Sequence, residues 1–164
     1  MSVDGIIDDL SRGVNLFNRR QFFEAHEALE DVWRALSESE YRSKSESESK
    51  TIDRPGDSSE NSALRLHVQA LIQLAVAFHH QSTGNTAGAS SVLERALRNL
   101  PGAEHSFPHL DIDRLRTESG RWHQYLKARA VDRHTSQDST SQNNRPEITP
   151  PLPKIERRSS NEAN

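Results

Sequence analysis

Phe22-Phe23-Glu24-Ala25-His26-Glu27-Ala28-Leu29-Glu30-Asp31-Val32-Trp33 is where residues capable of acid–base or ligand chemistry lie densest in this chain. On a helix, Phe22, His26, Leu29 and Trp33 share one face, which sets an imidazole in an apolar stripe. Glu30 stands one turn after His26, close enough to hydrogen-bond it, and Glu27 is the adjacent carboxylate. Glu24 and Asp31 fall farther round, toward solvent. A second polar line, Gln69, Gln73 and His80 with His79 beside it, follows helical steps of four and seven farther along. If the two helices pack together, His26, Glu27, Glu30, Trp33, Gln69, Gln73, His79 and His80 form one polar site in an apolar bundle.

Three chemistries suit that set, and exposure at a partner interface is a further role for His26. The first is a buried His/Glu/Gln hydrogen-bond network, since a buried polar group left unpaired costs about 1–3 kcal/mol. The second is a divalent metal held by His26, Glu30 and His80, donor types that suit zinc, manganese or iron. The third is acid–base catalysis by a carboxylate of raised pKa or a His near neutrality. The zincin pattern His-Glu-x-x-His is excluded, because position 30 is Glu30. Catalytic residues are therefore not assigned. His67, His105, His109, His123 and His134 share no ligand spacing and read as surface or packing residues. Gly84-Asn85-Thr86-Ala87-Gly88 lacks the lysine of a phosphate loop and fits a helix–helix turn, and no serine stands on a nucleophile elbow.

The elements that must position these groups are helical. Ile6, Ile7, Leu10, Val14 and Phe17 mark a first helix, and a second runs from about 21 to 36. Leu64, Val68, Leu71, Ala75 and Phe78 mark a third, apolar over most of its circumference and so expected at the centre. Asn85 can cap a fourth carrying Val92, Leu93, Ala96, Leu97 and Leu100, which Pro101-Gly102 ends. A fifth begins near Asp111 with Ile112, Leu115, Trp122 and Leu126. A shift of 64 residues aligns Leu10 with Leu74, Val14 with Phe78, Ala25 with Ala89, Leu29 with Leu93 and Glu30 with Glu94. The expected architecture is all-α: a compact bundle of about five helices built from two related helical hairpins, closed because two units are too few for a solenoid.

Only 32% of the 164 residues are hydrophobic, and the deficit is local. Positions 37–60 hold only Tyr41 and Ile52 as apolar residues, and 132–164 hold only Ile148, Leu152, Ile155 and Ala163. Such segments cannot bury enough area to offset the entropy of ordering. The expected organisation is one helical domain over 1–130, with a disordered Ser/Glu-rich insertion at 36–61 and a disordered polar tail over 131–164. The proline-rich stretch 150–155 reads as extended polyproline-like chain, either a spacer or a segment docking on its own domain through Leu152 and Ile155. The net charge of −3, from 21 Lys+Arg against 24 Asp+Glu, offers nucleic acid no general attraction. No run suits a membrane span, the start does not read as a signal peptide, and cysteine is absent, so the expected location is the cytoplasm.

Phe17-Asn18-x-x-x-Phe22-Phe23-Glu24-Ala25-His26-Glu27-x-Leu29-Glu30-x-x-Trp33-Arg34, followed by Gln69-Ala70-Leu71-Ile72-Gln73-Leu74-Ala75-Val76-Ala77-x-His79-His80 and Gly84-Asn85-x-x-Gly88-Ala89, resembles the family catalogued as domain of unknown function 309. The resemblance implies a compact all-helical domain, found mainly in bacteria and their relatives, with no assigned activity or cofactor. Where such relatives usually have glycine in the first hairpin turn this chain has Arg20, and where they often have glycine after the Gln of the second motif it has Ala70. Their short linker between hairpins is replaced by the long insertion. The expected function is a binding or scaffold module, acting as a homodimer or on a protein partner, with the His/Glu/Gln set as internal cement. The alternative is a metal-dependent, hydrolase-like enzyme using His26, Glu27, Glu30 and His79 or His80.

Overall fold

A computed structural model of the chain describes residues 3–47, 57–135 and 149–158. Among the described residues there are six helices and no strand: α1 Val3–Asn18, α2 Phe22–Ser47, α3 Asp57–Ser82, α4 Thr86–Asn99, the single turn α5 Ala103–Ser106, and α6 Ile112–Thr135. The periodicity that predicted five helices missed only α5, too short to show a repeat. The two hairpins are α1–α2 and α3–α4. α3 lies between α2 and α4, α6 packs on α4, and α5 bridges α3 to α6.

The hairpin turns are the same structure built twice. Arg20 and Gly84, 64 positions apart, both adopt left-handed backbone, with φ of 65° and 80°. Their flanking bonds repeat: Gln21 N–H to Leu16 C=O at 3.0 Å and Asn85 N–H to His80 C=O at 2.9 Å, Arg20 N–H to Phe17 C=O at 2.9 Å and Gly84 N–H to Gln81 C=O at 3.2 Å. These are Schellman closures, which favour glycine at the left-handed position. The first turn holds an arginine there, at a cost of roughly 1–2 kcal/mol from its Cβ. Arg20→Gly should therefore raise stability by about 0.5–1 kcal/mol after the extra entropy of glycine in the unfolded chain is subtracted. Thermal unfolding checks this, with Gly84→Ala as its mirror. A Cβ at Gly84 meets nothing within 4 Å, so a loss there reports backbone strain less the unfolded-chain entropy that alanine removes.

The alanines after each turn sit where the helices pack: Ala25 and Ala89 are fully buried, as are Leu29 and Leu93. α1 and α2 approach so closely at Gly13 that a Cβ there would lie 2.7 Å from the Leu29 side chain. Four aromatic rings join the hairpins to α6. Phe78 stands with ring centroids 5.9 Å from Phe17, 5.7 Å from Phe22 and 5.7 Å from Trp122.

The apolar-poor segments behave differently from a purely burial-based expectation. α2 continues past Leu36 to Ser47, and α3 begins at Asp57. Glu, Lys and Arg are compatible with a helix there, because straight side chains lose little freedom in one. Residues 48–56 of the expected insertion, and 136–148 and 159–164 of the expected tail, lie outside the described residues. Residues 149–158 follow the docked reading rather than the disordered one: Ile155 is 2% exposed and Leu152 packs against the core.

Candidate functional site

Among the described side chains of α2 the buried ones are Phe22, Ala25, Ala28, Leu29, Val32 and Leu36, spaced 0, 3, 6, 7, 10 and 14. At 100° per residue, His26 lies roughly 90° from the centre of that face and Glu30 farther still. The expected buried network is thus corrected: the His26 and Glu30 side chains are 22% and 33% exposed, on the shoulder of the helix. They form an open ladder. His26 Nε2 lies 2.9 Å from Glu30 Oε1 and Nδ1 lies 3.4 Å from Glu27, while Arg34 donates to Glu30 at 2.6 Å and to Asp31 at 3.0 Å.

Across the groove, α3 runs antiparallel and contributes its own edge. The exposed Phe23 ring is 5.6 Å from the His79 ring and 6.3 Å from that of His26. At the far end the Arg65 guanidinium covers the Trp33 ring at 4.9 Å. Between Trp33, Glu30 and Arg34 of α2 and Gln69 and Ile72 of α3 lies a small cavity of about 210 Å³. The groove therefore gathers His26, Glu30, Trp33, Gln69 and His79. Two predicted members go elsewhere: Gln73 accepts a hydrogen bond from Asn99 of α4 at 3.1 Å, and His80 Nδ1 lies 3.3 Å from the amide of Asn85, the residue that caps α4.

That division removes the predicted metal set. His26 and Glu30 pair with each other, His80 is turned toward Asn85, and among the described residues no group of three or more His, Asp or Glu side chains could hold a metal ion. Of the histidines read as packing or surface residues, His67 is buried with Nδ1 2.7 Å from Ser106 Oγ. Burial pushes the His123 imidazole below its ordinary pKa, Lys127 adds to the shift, and Glu94 opposes it.

A second site was missed because its key residues looked like ordinary core or turn positions. Residues 149–158 lie in a groove walled by α1, the loop before α6, and α6. The Asn18 side chain holds Ile155 by both main-chain groups, donating to its C=O at 2.9 Å and accepting from its N–H at 2.8 Å. Trp122 Nε1 donates to Pro151 C=O at 2.8 Å. Asp111 N–H donates to Glu156 C=O and Arg158 N–H to His109 C=O, each at 2.9 Å, making the one antiparallel bridge among the described residues, Leu110 with Arg157. Arg114 is held by Glu118 at 2.9 Å and meets the Glu156 carboxylate with its other edge. Beside the docked segment, toward α1, a cavity of about 1050 Å³ stays open among the described residues. Docking through Leu152 and Ile155 was one of the two readings of the segment, and on the receiving side the hint was Trp122, whose N–H needs a partner when buried.

Among the described residues no helix is long and apolar enough to cross a membrane. No curated protein and no solved structure matches the chain. The first motif of the resemblance is borne out: residues 10–44, which carry the first hairpin turn and the whole His26–Arg34 ladder, match the family model described as Domain of unknown function (DUF309).

Proposed function

We propose that the domain is a protein-binding module whose docking face is the α2/α3 groove, and that a second copy of the chain is its partner. The observation that carries this reading is a knob and a hole on one face. Phe23 is 53% exposed, and the 210 Å³ cavity beside Trp33 opens ten positions farther along the same helix. A two-fold axis midway between them would seat each Phe23 in the other copy's cavity, as an isologous contact requires. By residue register the same operation sets His26 opposite the second copy's Glu30, so the charge order is self-complementary. An aromatic anchor ringed by His, Arg and Glu is also the composition of an interface centre with a polar rim.

Phe23→Ser tests it. Two phenyl rings leave the interface, each worth about 1.5–3 kcal/mol of burial, so self-association should weaken by roughly a hundredfold or more. The fold should keep its stability within about 0.5 kcal/mol, because Phe23 lies outside the core. Sedimentation velocity across a concentration series reads the first and urea unfolding the second. A native chain that stays monomeric up to about 1 mM, where association is worth only ~4 kcal/mol, overturns the self-pairing.

A further inference from the structure

We propose that the groove between Asn18, the loop at His109 and Asp111, and Arg114 and Trp122 of α6 is a recognition site for extended proline-containing peptides. Residues 149–158 are its resident ligand in cis. A partner segment of the pattern Pro-apolar-Pro-x-apolar-acid competes for the same place.

The contacts are those of peptide recognition more than of domain packing. Six main-chain groups of the segment are read: the Pro151 carbonyl, the Lys154 N–H, both groups of Ile155, the Glu156 carbonyl and the Arg158 N–H. Main-chain reading combined with pockets for alternate side chains is how added strands and polyproline ligands bind. Here Pro153 and Ile155 are buried, and Lys154 and Arg157 between and beyond them face solvent. Pro150, Pro151 and Pro153 restrict the backbone before it binds, which lowers the entropy lost on docking. Arg114 is already positioned by Glu118 and by the cap of Asp111 on its N–H at 3.0 Å, so the reader of the acidic residue is set by the helix itself. None of the contacts made to the segment is a hydrogen bond within α1 or α6. The helices keep their own ladders when the segment leaves.

Occupancy in cis follows from connection. Thirteen residues, 136–148, join Thr135 to Thr149, with Ile148 as their one apolar side chain. Covalent connection over so few residues supplies an effective concentration of order mM, against which a partner must compete. Releasing the segment should therefore open the site to the same peptide added in trans.

The test uses the full chain carrying Ile155→Asp and a fluorescein-labelled peptide of the native 149–158 sequence, followed by anisotropy. The variant should bind the peptide at least about tenfold more tightly than the native chain does, and peptide carrying Ile155→Asp should not bind. Adding Asn18→Ala to the variant should abolish binding. Glu156→Lys, an exposed change that opposes Arg114, is the second releasing variant should Ile155→Asp disturb folding, and it should show the same gain to a smaller degree. A releasing variant that is folded by circular dichroism yet fails to bind the native peptide overturns the proposal. So does equal binding to native and released chains that ignores Asn18→Ala. A dimer lost on Ile155→Asp but unaffected by Phe23→Ser would assign the groove to a second copy's tail and overturn the role of an outside partner.

Discussion

Phe78→Ala should lower the stability of the domain by roughly 3–5 kcal/mol, the range for removing a buried aromatic ring. Phe78 is 1% exposed, and its ring meets Phe17 of α1, Phe22 of α2 and Trp122 of α6. Such pairs contribute about 0.5–1.5 kcal/mol each beyond their buried area, and a cavity at this junction cannot be closed by moving one helix without opening another contact. A domain is typically stable by only 5–15 kcal/mol, so the variant should show a much lower urea midpoint. Its Trp122 emission should change as well, because the indole loses its edge-on neighbour. A loss under 1 kcal/mol would mean that the helices close over the gap independently, contrary to the single shared core.

Asn18→Ala should cost about 2–4 kcal/mol, since it leaves the buried N–H and C=O of Ile155 without partners at about 1–3 kcal/mol each. The loss has a ceiling. Once it exceeds the free energy that holds residues 149–158 down, the segment lifts away and both groups hydrate. Ile155→Asp should reach that ceiling directly, because a carboxylate in place of a side chain 2% exposed costs more to bury than the segment gains by docking. The two changes together should then cost no more than the larger alone, a clear departure from additivity. Urea unfolding of both single variants and the double variant measures it. Additive losses within about 0.5 kcal/mol would show that the segment remains seated after either change.

The helices and the repeat were legible because both rest on local pattern. Apolar spacing located the four helices of the hairpins and α6, and the shift of 64 residues anticipated twin turns that share even their left-handed residue. Spacing placed His26 beside Glu30 on α2, but neither its depth nor the whole of its expected company followed from spacing. Phe22, His26, Leu29 and Trp33 do lie on one side of α2, yet the buried face is centred between Ala25 and Leu29. A rotation of less than a quarter turn separates a buried imidazole from one on the shoulder, and stripe reading does not resolve it. Gln73 and His80 shared the stripe of Gln69 by spacing, but a central helix has neighbours on two sides, and α4 claimed both. Asn18 stood in the first motif of the resemblance, yet nothing local assigned it a role. Its role depends on Ile155, and no local rule connects a residue before a turn to one so distant in sequence.

That distance also orders events in time. The hydrogen bonds between Asn18 and Ile155 span 137 positions, so a chain made at about 5–20 residues per second exposes Asn18 for roughly 7–27 s before its clamp partner has even been polymerised. The first hairpin is translated early, and the segment that occupies the groove is translated late. The groove itself is complete only once Trp122 has been made, 33 positions before Ile155, so a matching peptide from another protein would meet it without the tethered competitor for only about 2–7 s of synthesis.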